Sequence, residues 1–170
     1  RAMGFDMRVL AYDPYAREAI EADGQAEWAD LDVLLAKSDF VSIHTLLSNE
    51  TRHLISTAEF EKMKPTAYIL NAARGPIIDE AALVVALNEG QIAGAGLDVY
   101  EREPEMVQGL AECENAVLLP HLGSASRGTR DKMATMAATN AIAMLQGDRA
   151  PNCVNADVYD SPAYAERIGN

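Results

Sequence analysis

Cysteine is scarce in this 170-residue sequence, and so are basic residues and long apolar runs. Two cysteines, Cys113 and Cys153, cannot build a disulfide framework, and neither belongs to a CxxC pair of metal-binding spacing. No metal site is expected; a reducing compartment, the cytoplasm, is the expected location, and a single bridge is the alternative. No stretch approaches the roughly 18 uncharged apolar residues that a membrane helix needs, which excludes a spanning segment. Only 14 Lys and Arg stand against 26 Asp and Glu, and the net charge of -12 repels phosphate backbones and anionic lipid heads. Nucleic acid and membrane surfaces are therefore not expected partners. There is also no initiator methionine, no charged n-region and no apolar h-region: the sequence opens Arg1-Ala2-Met3-Gly4 and is expected to begin in mid-protein.

What is present has the profile of a globular protein, with 49% hydrophobic and 24% charged residues at a mean hydropathy of -0.09. Apolar runs of strand length alternate with segments of helical period. Strands are predicted at 7–12, 40–47, 67–70, 92–99 and 116–119, with helices at 15–22, 31–36, 56–62, 79–88 and 126–146. Serine or threonine starts the third helix, Asp79 the fourth, and Gly147 stops the last. The tail after Pro151 reads as polar and irregular. Strand, helix and strand repeated in this way predict a parallel sheet flanked by helices, because parallel neighbours need a crossover. The expected organisation is a domain over residues 1–147 and a tail over 148–170.

Ligands of an open parallel sheet bind outside the carboxyl ends of its strands. The residues there are Asp13; His44 and Thr45; Asn71 to Gly75; Asp98 and Glu103; and Pro120 to Ser124. Asp13 reads either as a helix N-cap or as the carboxylate that accepts the adenosine ribose hydroxyls in a dinucleotide fold, where it also disfavours a 2′-phosphate. Arg74 is either a surface turn residue or a planar, permanently charged group suited to two-point carboxylate recognition. His121 follows an apolar strand at the ligand edge, and Glu103 lies on the preceding strand's loop, where it can hold the imidazole. By itself the stretch Glu101 to Glu105 reads as a solvated acidic loop, and Asp98 as a turn residue. His44 and His53 have no comparable support. Gly94-Ala95-Gly96 lies inside a predicted strand, so it is not a phosphate loop.

Asp13-Pro14, the run Asn71 to Gly75, Gly96 to Pro104 and Pro120 to Ser126 resemble, in order and spacing, the D-isomer-specific 2-hydroxyacid dehydrogenases. Glu103 follows Arg74 by 29 positions and His121 follows Glu103 by 18, as in that family. The resemblance runs from about Met7 to Gln146. It implies a Rossmann-like, doubly wound α/β sheet and NAD-linked hydride transfer between a small D-2-hydroxy acid and its 2-keto acid. It further implies that Arg74 binds the substrate's carboxylate and keto oxygen, that His121 is the acid or base, and that Glu103 keeps His121 protonated. Asp13, Thr45, Ala72, Ala73, Arg74, Asp98, His121, Leu122, Gly123 and Ser124 are the implied NAD-lining positions. A homodimer is implied as well.

Two features depart from that pattern. Leu46 stands where many relatives carry proline, and the family's first strand and GxGxxG loop are missing from the sequence. The expected sheet is therefore incomplete, lacking a strand from its middle, and this stretch alone is expected to bind NAD poorly because no helix N-terminus cradles the pyrophosphate. The missing N-terminal portion is an expected partner, and the tail is expected to return to a substrate domain. Formate enzymes of the family carry glutamine at the position of Glu103, which disfavours that chemistry. An NAD-sensing binding protein or corepressor of the same fold is the alternative to an enzyme.

Overall fold

The computed structural model describes residues 1–168. The chain divides into two compact units that meet in sequence between His121 and Leu122.

In the first unit, β1 (Leu10–Ala11), α1 (Arg17–Asp23), β2 (Glu27–Trp28), α2 (Leu31–Lys37) and β3 (Phe40–Ile43) are followed by α3 (Thr57–Phe60) and β4 (Tyr68–Asn71). Helix α4 (Glu80–Asn88), β5 (Gly94–Leu97) and β6 (Ala116–Leu118) complete it. At several helix ends the boundary residues satisfy groups that a helix leaves without partners. The Asp79 carboxylate accepts from the N–H groups of Ala81 and Ala82, both at 3.1 Å, and starts α4. Glu59 accepts from the Ser56 N–H at 3.1 Å and fixes the first turn of α3. Gly24 ends α1 at φ +69°, a left-handed conformation that glycine adopts without a Cβ penalty.

All strand pairs are parallel. Strands β3, β4, β5 and β6 are hydrogen-bonded in that order, while β1 and β2 pair only with each other. The expected α/β architecture with a parallel sheet is present, and the sheet is interrupted: among the described residues no ladder joins the pair β1–β2 to the four-stranded sheet. Leu35, Phe60, Ile69, Ile77, Leu83, Ile92 and Leu110 form a buried core with the four-stranded sheet. In β3 and β4 burial alternates with the pleat, so Val41, Ile43, Ile69 and Asn71 face inward.

Sequence and structure differ at three places. The first predicted strand shrinks to Leu10–Ala11, and β2 has no counterpart among the predicted strands. Glu27-Trp28 is too short to show a period; its pairing with Leu10 and Ala11 makes it a strand. The tail is not irregular: after α5 (Arg127–Leu145), which matches the predicted last helix, it contains a 3-10 turn over Ala156–Asp160 and α6 (Pro162–Ile168). Proline at the first position of α6 presets its φ, and Ser161 accepts from the Tyr164 N–H at 3.2 Å. Both cysteines are free, so the single bridge is absent. No described helix is long and apolar enough to cross a membrane.

Candidate active site

Parallel register brings the sheet's carboxyl ends into one row: Ile43, Asn71, Leu97 and Leu118 lie abreast across β3 to β6. Residues that follow this row therefore crowd one edge. They include half-buried Thr45, Ala72 to Arg74, buried Asp98, and Leu119 to His121. Asn71, only 2% exposed, organises the second of these groups: its amide donates to the Arg74 carbonyl at 2.9 Å and accepts from the Ala73 N–H at 3.0 Å. The Asp98 N–H donates to the Asn71 carbonyl at 2.9 Å, extending the ladder by one rung. Arg74 is left exposed, with one guanidinium N–H on the Ala73 carbonyl at 2.6 Å.

Across this edge the Nδ1–H of His121 donates to Oε2 of Glu103 at 2.8 Å, and the other oxygen of Glu103 accepts from the Tyr100 N–H at 3.0 Å. The bond from His121, reinforced by that from Tyr100, holds the Glu103 carboxyl below the usual glutamate range. The Tyr100 hydroxyl donates to the Leu119 carbonyl at 2.9 Å, so one side chain ties the Glu103 loop to the end of β6. His121 itself adopts a left-handed φ of 55°. The pair borders a cavity of about 330 Å³ lined by Tyr100, Met106, Leu118 and Leu119 as well as Glu103 and His121. Glu103 is thus a hydrogen-bonded partner and not part of a merely solvated loop.

Asp13 sits at the end of β1, on the two-stranded sheet. Its Oδ1 accepts from the Tyr15 N–H at 2.8 Å, forming a turn, whereas the N-cap of α1 is Ala16. The helix-cap reading of Asp13 is therefore replaced by a turn ahead of the helix. The Trp28 indole N–H donates to the Asp13 carbonyl at 3.2 Å, and the Arg17 guanidinium lies 4.3 Å from the Trp28 ring centre. Leu122, Gly123 and Ser124 follow His121 directly in the chain and begin the second unit.

Two residues without a role in the sequence reading emerge here. Tyr100 lies in the motif with Glu103 but carries no obvious chemistry until its hydroxyl meets Leu119. Glu80 reads as a helix-starting acid, the usual dipole placement, yet it is 3% exposed. The adjacent Asp79 supplies the cap and masks it.

The residues fit a nicotinamide dinucleotide in part: an acidic strand end, a strand-end row with small Ala72 and Ala73, and an imidazole–carboxylate pair beyond it. Gly94 and Gly96 do not form a phosphate cradle, for they lie within β5, where a Cβ on Gly94 would come 2.6 Å from the Asn115 carbonyl oxygen.

An open parallel sheet with this set of strand-end groups is the architecture of a dinucleotide-binding domain. The family model described as D-isomer specific 2-hydroxyacid dehydrogenase, NAD binding domain, matches residues 1–123, and the chain belongs to that family. Its cofactor is NAD. Glyoxylate reductase of Thermococcus litoralis is 45% identical over 161 residues, covering 95% of this chain and 49% of that protein. Among solved structures, the TT0316 protein of Thermus thermophilus is 40% identical at a TM-score of 0.77, over 91% of this chain and 48% of that one. The NAD-complexed D-isomer specific 2-hydroxyacid dehydrogenase of Lactobacillus delbrueckii ssp. bulgaricus is 30% identical at 0.76, over 89% and 50%. The chain spans about half the length of the curated relatives it matches.

Proposed function

We propose that this chain carries the acid pair, the carboxylate-binding arginine and part of the NAD site of an enzyme that interconverts a small 2-keto acid and its D-2-hydroxy acid. The observation that carries the reading is the 2.8 Å bond between His121 and Glu103, formed beyond the strand-end row that also bears Arg74. When bound, NADH supplies the hydride to the keto carbon, and NAD accepts it in the reverse direction. Arg74 binds the substrate carboxylate and orients the keto oxygen. His121 gives that oxygen a proton from Nε2 as the carbonyl is reduced, and takes it back in the oxidation. Glu103 accepts the Nδ1–H, which fixes the ring's orientation and leaves Nε2 for the substrate oxygen. Asp13 binds the adenosine ribose. Thr45, Ala72, Ala73 and Asp98 line the cofactor edge.

Glyoxylate is the first substrate to test, because relatives bearing the name glyoxylate reductase share nearly half of the aligned residues. Hydroxypyruvate, pyruvate and 3-phosphoglycerate complete the panel. The expected result in the intact protein is NADH oxidation at 340 nm with one or more 2-keto acids. His121→Ala is expected to lower turnover by roughly 10² to 10⁴, far more than it lowers NADH affinity. Binding of NADH without turnover of any substrate overturns the enzyme reading in favour of a nucleotide-sensing protein.

A further inference from the structure

The loop that carries Glu103 is closed at both ends on one buried carboxylate. Oε1 of Glu80 accepts from the Glu101 N–H at 2.6 Å and Oε2 accepts from the Val107 N–H at 3.3 Å. Between these anchors lies Glu103, in a turn closed by the Glu105 N–H on the Arg102 carbonyl at 2.9 Å. The contact is reciprocal, since Glu101 accepts from the Glu80 N–H at 3.0 Å with Oε1 and meets Nε2 of His53 at 3.2 Å with Oε2.

A glutamate in the first turn of a helix needs only to face solvent to favour the dipole. Glu80 is instead 3% exposed, and no ion pair joins it to a Lys or Arg among the described ion pairs. Burial pushes its carboxyl above the ordinary range, with the Glu101 and Val107 N–H groups opposing. Burying a carboxylate is costly, and hydrogen bonds must replace the water it loses. Here the two bonds define where the loop starts and ends relative to α4.

We propose that Glu80 is a positioning residue of the acid pair: by closing the loop from Glu101 to Val107 on its carboxylate, it sets Glu103 at hydrogen-bond distance from His121. This rests on the reading of Glu103 and His121 as the acid pair of a 2-keto acid reductase. Glu80 touches no substrate and acts through Glu103.

The test uses the intact protein and the substitution Glu80→Gln, which leaves one acceptor oxygen and turns an NH2 group toward the second backbone N–H. The expected result is a kcat lower by roughly ten- to hundredfold, as for a small misplacement of a reacting group, with KM and NADH affinity unchanged. The Glu103 carboxyl, followed by NMR with 13C-labelled glutamate, is expected to titrate higher than in the wild type. In a Glu103→Gln background, Glu80→Gln should remove no further kcat. Glu80→Asp keeps charge and burial but draws the oxygens back by one methylene, and should show the same changes to a smaller degree; it decides the matter if Glu80→Gln does not fold. The proposal is overturned if the Glu103 titration stays in place, or if the kcat losses of Glu80→Gln and Glu103→Gln multiply. A wild-type protein that reduces no 2-keto acid would overturn the function proposed above, and the Glu103 titration then decides the role of Glu80 alone.

Discussion

Gly75 and Tyr100 meet backbone against backbone: a Cβ on Gly75 would lie 1.9 Å from the Tyr100 carbonyl carbon and 2.0 Å from its oxygen. This seam joins the residue after Arg74 to the residue whose N–H holds Glu103. Only glycine permits that approach, so the spacing of the arginine loop from the glutamate loop is set by the absence of a side chain.

Gly75→Ala is therefore expected to force the two loops apart. The obstacle is backbone and cannot rotate away, so the cost should reach or exceed the roughly 1–3 kcal/mol typical of overpacking. Urea denaturation measures it. A midpoint equal to that of the wild type would contradict the contact.

The Glu103–His121 bond predicts a pH dependence of stability. Glu103 titrates below its ordinary value because His121, and then the Tyr100 N–H, bind its ionised form. Its contribution is therefore fully present above the unfolded-state value of about 4.3 and is lost as pH falls through the lower value it has in the fold. Both side chains are substantially exposed, so solvent screening keeps the effect modest. Thermal melts should show Glu103→Gln less stable than wild type near pH 5 and the difference closing below about pH 4. A difference that grows on acidification would refute the assignment.

Arg74 offers a third test. Lysine keeps the charge but loses the planar fork, so Arg74→Lys should weaken two-point recognition of a carboxylate far more than it weakens NADH binding. A lost charge-assisted bond corresponds to a fall in kcat/KM of roughly tenfold to a hundredfold. Equal kcat/KM in steady-state assays of the two proteins would remove Arg74 from substrate binding.

The alternation of strand and helix is readable because buried strands and helices have different periods, and because Asp79, Ser56 and Gly147 mark helix ends by local chemistry. Short elements escaped. Glu27 and Trp28 become β2 only by pairing with β1, and α6 has only Ser161-Pro162 as a local start signal.

The sequence by itself determined the α/β class, the parallel direction of the strands and which residues stand at their carboxyl ends, since these follow from periodicity and from connections that need a crossover. Its motif order also placed Arg74, Glu103 and His121 in one family pattern. Only the tertiary structure decided what Asp13, Glu103 and Glu80 do. Asp13 closes a turn, Glu103 accepts from an imidazole and Glu80 is buried under two backbone N–H groups. All three are carboxylates in an acidic chain, and nothing local separates them. Their partners come from segments distant in sequence as often as from neighbours, so burial and hydrogen bonding are assigned only when the sheet brings those segments together.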